Sequence, residues 1–166
     1  MKRIVLIGLF LVITLIFDAT IPQQAQAEFQ YAVKFVCGKS DGKVIAPGRY
    51  FTAINVLNPT KEGTEFYKHF AIALPGERPG PVSDSFGVRL DKNQALEIDC
   101  EDIGKLTSDI VKEAGLSGDF LKGFVVIVSR VELDVVAVYT AMTKGGFWRF
   151  RTLDIDIERV SPRKLP

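Results

Sequence analysis

Three carboxylates share one face of a predicted strand near the C-terminal end of the chain. Asp154, Asp156 and Glu158 alternate with apolar residues, and this period of two is typical of a β-strand. A pair of carboxylates can hydrolyse glycosidic bonds by acid–base chemistry, and a row of them can bind calcium. A carboxylate-dependent hydrolase is therefore one hypothesis. The alternative is that these residues form the solvated face of an outer strand.

The single tryptophan lies between two glycines and a pair of arginines. On a strand, Trp148 shares a face with Phe150, whereas Arg149 and Arg151 lie on the other face. An aromatic ring near a loop tip can stack on sugar rings or peptides, and a guanidinium can hold a carboxylate through two hydrogen bonds. Trp148, Arg149 and Arg151 are thus candidate ligand-binding residues. The alternative is that Trp148 and Phe150 close the hydrophobic core.

Other catalytic chemistry has little support in the residue types. The one histidine, His69, lies on a predicted strand and is expected to be a solvated or half-buried sheet residue. A serine triad would need an activated serine, but no Gly-x-Ser-x-Gly segment occurs. Zinc would need further histidine or cysteine ligands, and no glycine-rich phosphate loop joins a strand to a helix. We expect a protein that is not an enzyme, with no catalytic residue, no cofactor and no metal site.

The two cysteines are predicted to form a disulfide. Cys37 is in phase with the apolar residues Val33 and Phe35, and Cys100 is in phase with Leu96 and Ile98. Both side chains should therefore point into the core from the ends of their strands. The Cys-x-x-Cys spacing of redox catalysts is absent. Two free buried thiols are the alternative.

Residues 1–27 have the pattern of an export signal. Lys2 and Arg3 precede an uncharged, mostly apolar run over Ile4–Phe17, and Ala25-Gln26-Ala27 resembles a cleavage site. The run of about 14 residues is shorter than the roughly 20 that a transmembrane helix needs. A retained membrane anchor is the alternative. We expect an exported protein, periplasmic or extracellular, in a compartment where a disulfide can form.

The charge balance argues against nucleic acid as a partner. Cleavage after residue 27 would remove Lys2, Arg3 and Asp18, so that the 21 basic and 20 acidic residues of the chain become 19 of each. A neutral chain gains no counterion-release energy from nucleic acid and little attraction to anionic lipid. No stable membrane insertion is expected after cleavage. A protein partner or self-association is the leading expectation, with a glycan as the alternative.

Most of the remaining chain has the alternation of β-strands. Residues 28–160 are predicted to form a single domain, followed by a polar C-terminal tail over residues 161–166. One amphipathic helix is predicted over Glu101–Ala114, either closing one end of the domain or crossing between sheets. The proline-rich stretch Pro75–Ser85 is expected to be a surface connection. Strands are predicted at 31–37, 49–57, 64–74, 86–90, 95–100, 124–128, 133–141 and 147–160.

One strand pairing and one tight turn follow from short connections between these strands. Residues 124–128 and 133–141 are expected to form a central hairpin, and the strands at 86–90 and 95–100 flank a tight turn at Asp91-Lys92-Asn93. The fold class is therefore all-β with one amphipathic helix. Its predicted architecture is a two-layer antiparallel β-sandwich, immunoglobulin-like or jelly-roll-like.

Several segments carry a resemblance to known families. The stretches Tyr31–Gly38, Gly48–Pro59 and Leu133–Ala141, with shorter matches between and after them, resemble a family of exported prokaryotic proteins. That resemblance implies no activity and no functional residue. The order of Asn55–Pro59 and Gly123–Ser129 is also similar to the small β-sandwich of the sensory rhodopsin transducer family.

Together these features favour a non-catalytic exported β-sandwich that mediates protein interaction or self-assembly in the cell envelope or outside the cell. The open edges of such sheets are natural docking sites. A carbohydrate or small-ligand binding module centred on Trp148 is the alternative. The carboxylate-dependent hydrolase is the less favoured third hypothesis.

Overall fold

Ten strands and one helix make up the part of the protein that the computed structural model describes, residues 29–144 and 150–165. Every strand pairing is antiparallel, and the sheet is open, so the predicted all-β, sandwich-like fold class is confirmed. The elements are β1 (Phe29–Ser40), β2 (Gly48–Leu57), β3 (Thr64–Ala73), β4 (Pro79–Val82), β5 (Phe86–Leu90), β6 (Ala95–Asp99), α1 (Cys100–Glu113), β7 (Phe120–Ser129), β8 (Asp134–Lys144), β9 (Phe150–Arg159) and β10 (Arg163–Lys164).

The sheet divides into two halves that share one corner. Its main path runs β4-β3-β7-β1-β2-β8-β9, with β5 beside β3, β6 beside β2 and β10 beside β1. β1 pairs with β2 only where residues 38–40 meet residues 48–50. We call β3, β4, β5, β7 and β1 the first half-sheet, and β6, β2, β8 and β9 the second half-sheet.

A single core joins the two halves. Alternate residues of each central strand are buried, as the period of two requires. Phe35, Phe66 and Val125 of the first half-sheet belong to the same buried cluster as Ile54 and Val135 of the second. The two halves therefore pack face to face, as two layers of a sandwich do.

β1 and β2 separate beyond their short paired stretch, and we call this separation the fork. Thr52 and the Cys37–Cys100 disulfide hold it together. The Thr52 hydroxyl accepts a hydrogen bond from the Val36 backbone N–H at 3.0 Å and donates one to the Val36 carbonyl at 3.1 Å. The Thr52 N–H donates to Cys100 Sγ at 3.2 Å. Cys37 and Cys100 form the predicted disulfide, with their Cα atoms 5.5 Å apart. The bridge thus ties the end of β1 to the start of α1 at the point where the two halves separate.

The helix lies one residue earlier than predicted and crosses between the halves. It begins at Cys100, directly after β6, and leads to β7. The Asp99 side chain accepts hydrogen bonds from the N–H groups of Glu101 and Asp102, and the Asp102 side chain accepts from the Asp99 N–H. This capping box satisfies N–H groups that a helix start otherwise leaves without partners.

The expected central hairpin is wrong, whereas the expected tight turn at Asp91-Lys92-Asn93 is present, with the Gln94 N–H donating to the Asp91 carbonyl at 3.1 Å. β7 and β8 do not form a hairpin, because β7 lies between β1 and β3 whereas β8 lies between β2 and β9. β5 and β6 are likewise separated, since β5 pairs with β3 and β6 with β2. Both connections cross from one half-sheet to the other. The buried Tyr31 hydroxyl holds the β7–β8 connection by donating to the Leu133 carbonyl at 2.8 Å and accepting from its N–H at 2.7 Å.

Two segments predicted to be irregular contain short strands. The proline-rich stretch includes β4, which pairs with the edge of β3. The polar tail includes β10, whose Arg163 and Lys164 pair with Gln30 and Phe29. Neither β4 nor β10 is a central strand. For β4, which contains Pro79 and Pro81, this is expected, because proline has no N–H to donate to a neighbouring strand.

Candidate functional site

The described part of β9 forms one open edge of the second half-sheet. It pairs with β8 along one side, and among the described residues no strand pairs with its other side. The register shifts between Ala141 and Met142 of β8, so the predicted long strand is bulged. This edge brings together the carboxylates that the sequence marked as candidates.

The proposed ligand-binding residues lie at or beyond the limit of the described chain. Trp148 and Arg149 fall outside the described residues. Arg151 is placed only by its backbone, which pairs with Thr143, and Asp154 only by its pairing with Ala141. Their predicted roles therefore remain predictions.

Asp156 and Glu158 lie on the face of β9 that borders a groove. In register, Asp156 is next to Tyr139 of β8, which is next to Thr52 of β2. The groove has a volume of about 370 Å³ and reaches across to β1. Its lining comprises Lys34, Val36, Tyr50, Phe51, Thr52, Tyr139, Thr140, Ala141, Asp156 and Glu158.

The polar groups of the groove include one direct hydrogen bond. The Tyr139 hydroxyl donates to Glu158 Oε2 at 2.8 Å. Burial, together with this bond to a carboxylate, raises the pKa of the Tyr139 phenol above its usual value of 10. The phenol is therefore a hydrogen-bond donor at neutral pH.

Within the part of the chain that the structure describes, neither Asp156 nor Glu158 forms an ion pair. Three ion pairs occur within the described residues, Lys43–Asp41, Arg89–Asp91 and Arg159–Asp134, and neither carboxylate takes part in them. Lys34 lines the same groove but lies on β1. This side of β9 is consequently acidic.

Two exposed isoleucines lie on the other face of β9. Ile155 and Ile157 are 60% and 67% exposed, which is high for side chains of this size. They continue in register through Thr140 and Val138 of β8 to Phe51, which is 40% exposed, and Ala53 of β2. We call these six residues the outer patch.

Asp156 and Glu158 are solvated, as the outer-strand interpretation requires, but Ile155 and Ile157 are solvated too. The alternation of acidic and apolar residues did not predict the exposure of the isoleucines, because alternation does not show whether another layer covers the apolar face. The sequence analysis also missed Lys34 and Tyr139, because only the arrangement of β1 against the second half-sheet brings both residues to one groove.

Two further observations concern the acidic side chains and the histidine of the described residues. No group of three or more His, Cys, Asp or Glu side chains there could hold a metal ion. His69 is half-buried on β3 and pairs with Val126.

Within 29–144 and 150–165, no helix has the length and apolar character that crossing a membrane requires. Comparison of the chain with protein-family models, with curated proteins and with solved structures found no match. The two family resemblances seen in the sequence therefore remain predictions.

Proposed function

We propose that this chain is a non-catalytic exported protein that binds another protein through β9 and the outer patch. The exposure of Ile155 and Ile157 on an edge strand is the observation that carries the proposal. Isolated apolar residues are common on protein surfaces, but a contiguous apolar face beside an open strand edge favours association.

Export is supported by two independent features. The N-terminal pattern is that of a signal peptide, and the Cys37–Cys100 disulfide is the kind of bond that persists in oxidising compartments. The partner is accordingly expected in the cell envelope or outside the cell.

The proposal is tested by changing the outer patch and measuring association. An Ile155→Thr/Ile157→Thr variant keeps β-branched side chains but removes apolar surface, so we expect it to lose a partner captured from envelope extract or to lose self-association seen by light scattering. Val82→Thr is the matched control, because Val82 is 57% exposed on β4. Equal association of the wild type and the double variant would contradict the proposal, as would a monomeric wild type with no partner.

A carbohydrate or small-ligand binding module is the second candidate, favoured by the groove. Tyr50 and Tyr139 provide aromatic surface there, while Lys34 and Glu158 provide polar groups. Such a combination is typical of small-ligand sites. Titration with glycans should then change Trp148 fluorescence, and Tyr139→Phe should weaken that response. No response to any glycan would remove this candidate.

A further inference from the structure

We propose that β9 accepts an added strand from its protein partner, an extended segment in which basic and apolar residues alternate. This inference rests on the proposed function and specifies the chemistry of the partner. Strand addition supplies affinity through backbone hydrogen bonds and specificity through alternate side chains.

The backbone of β9 presents its free hydrogen-bonding groups at alternate residues. The Val160 N–H donates to the Val135 carbonyl at 2.9 Å, and this fixes which residues of the strand bond to β8. In an antiparallel ladder these residues alternate, so Asp156 and Glu158 direct their N–H and C=O groups toward β8. The groups of Ile155, Ile157 and Arg159 therefore point toward the open edge.

The side chains of β9 define what a paired strand must carry. Residues directly opposite one another in an antiparallel pair point to the same face. Partner residues opposite Ile155 and Ile157 would extend the outer patch and should be apolar. Those opposite Asp156 and Glu158 would lie on the acidic side and should be basic, because a cation there meets two carboxylates that have no ion-pair partner among the described residues.

A second copy of the chain fits residues 155–159 of the β9 edge less well than a basic partner strand does. In a two-fold symmetric pairing centred on Ile157, Asp156 of one copy lies opposite Glu158 of the other. A pairing centred on Asp156 places that carboxylate opposite its own copy. Like charges directly opposite each other destabilise a pair of strands. The charge pattern of residues 155–159 thus favours a basic partner over self-pairing.

The test uses synthetic peptides and the disulfide-bonded protein. A fluorescent peptide of alternating valine and lysine should bind, measured by anisotropy, about tenfold or more tightly than one of alternating valine and glutamate. Its binding should weaken with added salt. N-methylation of alternate peptide nitrogens should abolish binding when it falls on the residues that donate to β9, since the methyl group removes those donors.

Two variants locate the binding at β9. Asp156→Lys/Glu158→Lys should weaken binding of the lysine peptide by about tenfold or more and improve binding of the glutamate peptide. Asp84→Lys/Glu113→Lys makes the same change of net charge at two exposed positions elsewhere and should leave the preference unchanged. Ile157→Pro should block binding while keeping the bonds to β8, because the Ile157 N–H points to the open edge. A cooperative unfolding transition for each variant confirms that it folds.

The outcomes separate this inference from the proposed function. Equal affinity for the two peptides, or binding that survives both Ile157→Pro and N-methylation, overturns strand addition by a basic segment. If a natural partner is lost in Ile155→Thr/Ile157→Thr but the lysine peptide neither binds nor competes with it, the inference fails and the proposed function stands. Dimerisation through β9 that the lysine peptide cannot disrupt would show that a second copy occupies the edge.

Discussion

Lys68 is an unusual residue for the face that it occupies. It lies on the buried side of β3, between Phe66 and Phe70, and is only 9% exposed. Burial lowers the pKa of its ammonium group, and the charge of Asp102 on α1 opposes this shift only in part. Folding therefore disfavours the charged form of Lys68 relative to the unfolded chain.

Replacing Lys68 should stabilise the protein at neutral pH. We expect Lys68→Met to raise the free energy of unfolding at pH 7 by about 1 kcal/mol, because methionine fills similar space without a charge. Since the folded-state pKa is lowered, the wild type should gain stability as the pH rises toward the ordinary lysine pKa of 10.5, and the difference from the variant should shrink. Urea unfolding from pH 7 to 10.5 measures this, with exposed Lys61→Met as control. A variant less stable than the wild type at pH 7 would contradict the interpretation.

Among the elements, the fork between β1 and β2 depends on one hydroxyl. At the fork, β2 no longer pairs with the backbone of β1 at Val36. The Thr52 hydroxyl instead makes hydrogen bonds to both the N–H and the C=O of Val36. Thr52 is almost fully buried, so water cannot replace its hydroxyl easily. A buried backbone group without a partner is costly.

Thr52→Val should therefore destabilise the protein and loosen the fork. The variant keeps the shape of the side chain but leaves the Val36 N–H and C=O without partners, which should cost about 1–3 kcal/mol of unfolding free energy. Amide hydrogen exchange at Val36 should accelerate as well. Thr140→Val on β8 removes a hydroxyl from a less buried position and should change stability by less than about 0.5 kcal/mol. Equal effects of the two substitutions would show that the fork does not depend on the Thr52 hydroxyl.

At the scale of the whole molecule, the disulfide connects parts of the chain that are 63 residues apart. Closing a loop of this length restricts the unfolded chain, so Cys37→Ala/Cys100→Ala should lower the free energy of unfolding by about 4 kcal/mol. Chemical denaturation of the oxidised wild type and the variant measures the difference. Intact-mass analysis of the denatured wild type should show no alkylation before reduction and two alkylated thiols after it. Alkylation without reduction would contradict the bridge.

Much of the fold follows from local patterns in the sequence. The alternation of apolar residues located most strands to within a few residues, and the three-to-four spacing located α1 to within one. The phase of Cys37 and Cys100 predicted their pairing, which the structure bears out. These features could be predicted because the direction of a side chain is fixed by the conformation of its own strand or helix.

Only the tertiary structure decided which strands pair with each other and which faces of the sheet are covered. β7 and β8 are neighbours in sequence, yet they belong to different half-sheets, and no local signal distinguishes a hairpin from a connection that crosses between layers. The same limit applies to β9: its alternation separates Ile157 from Glu158, but only the packing of the whole chain leaves both faces exposed and forms a groove along the acidic one. Local periodicity assigns side chains to faces, whereas burial depends on which distant segments cover those faces.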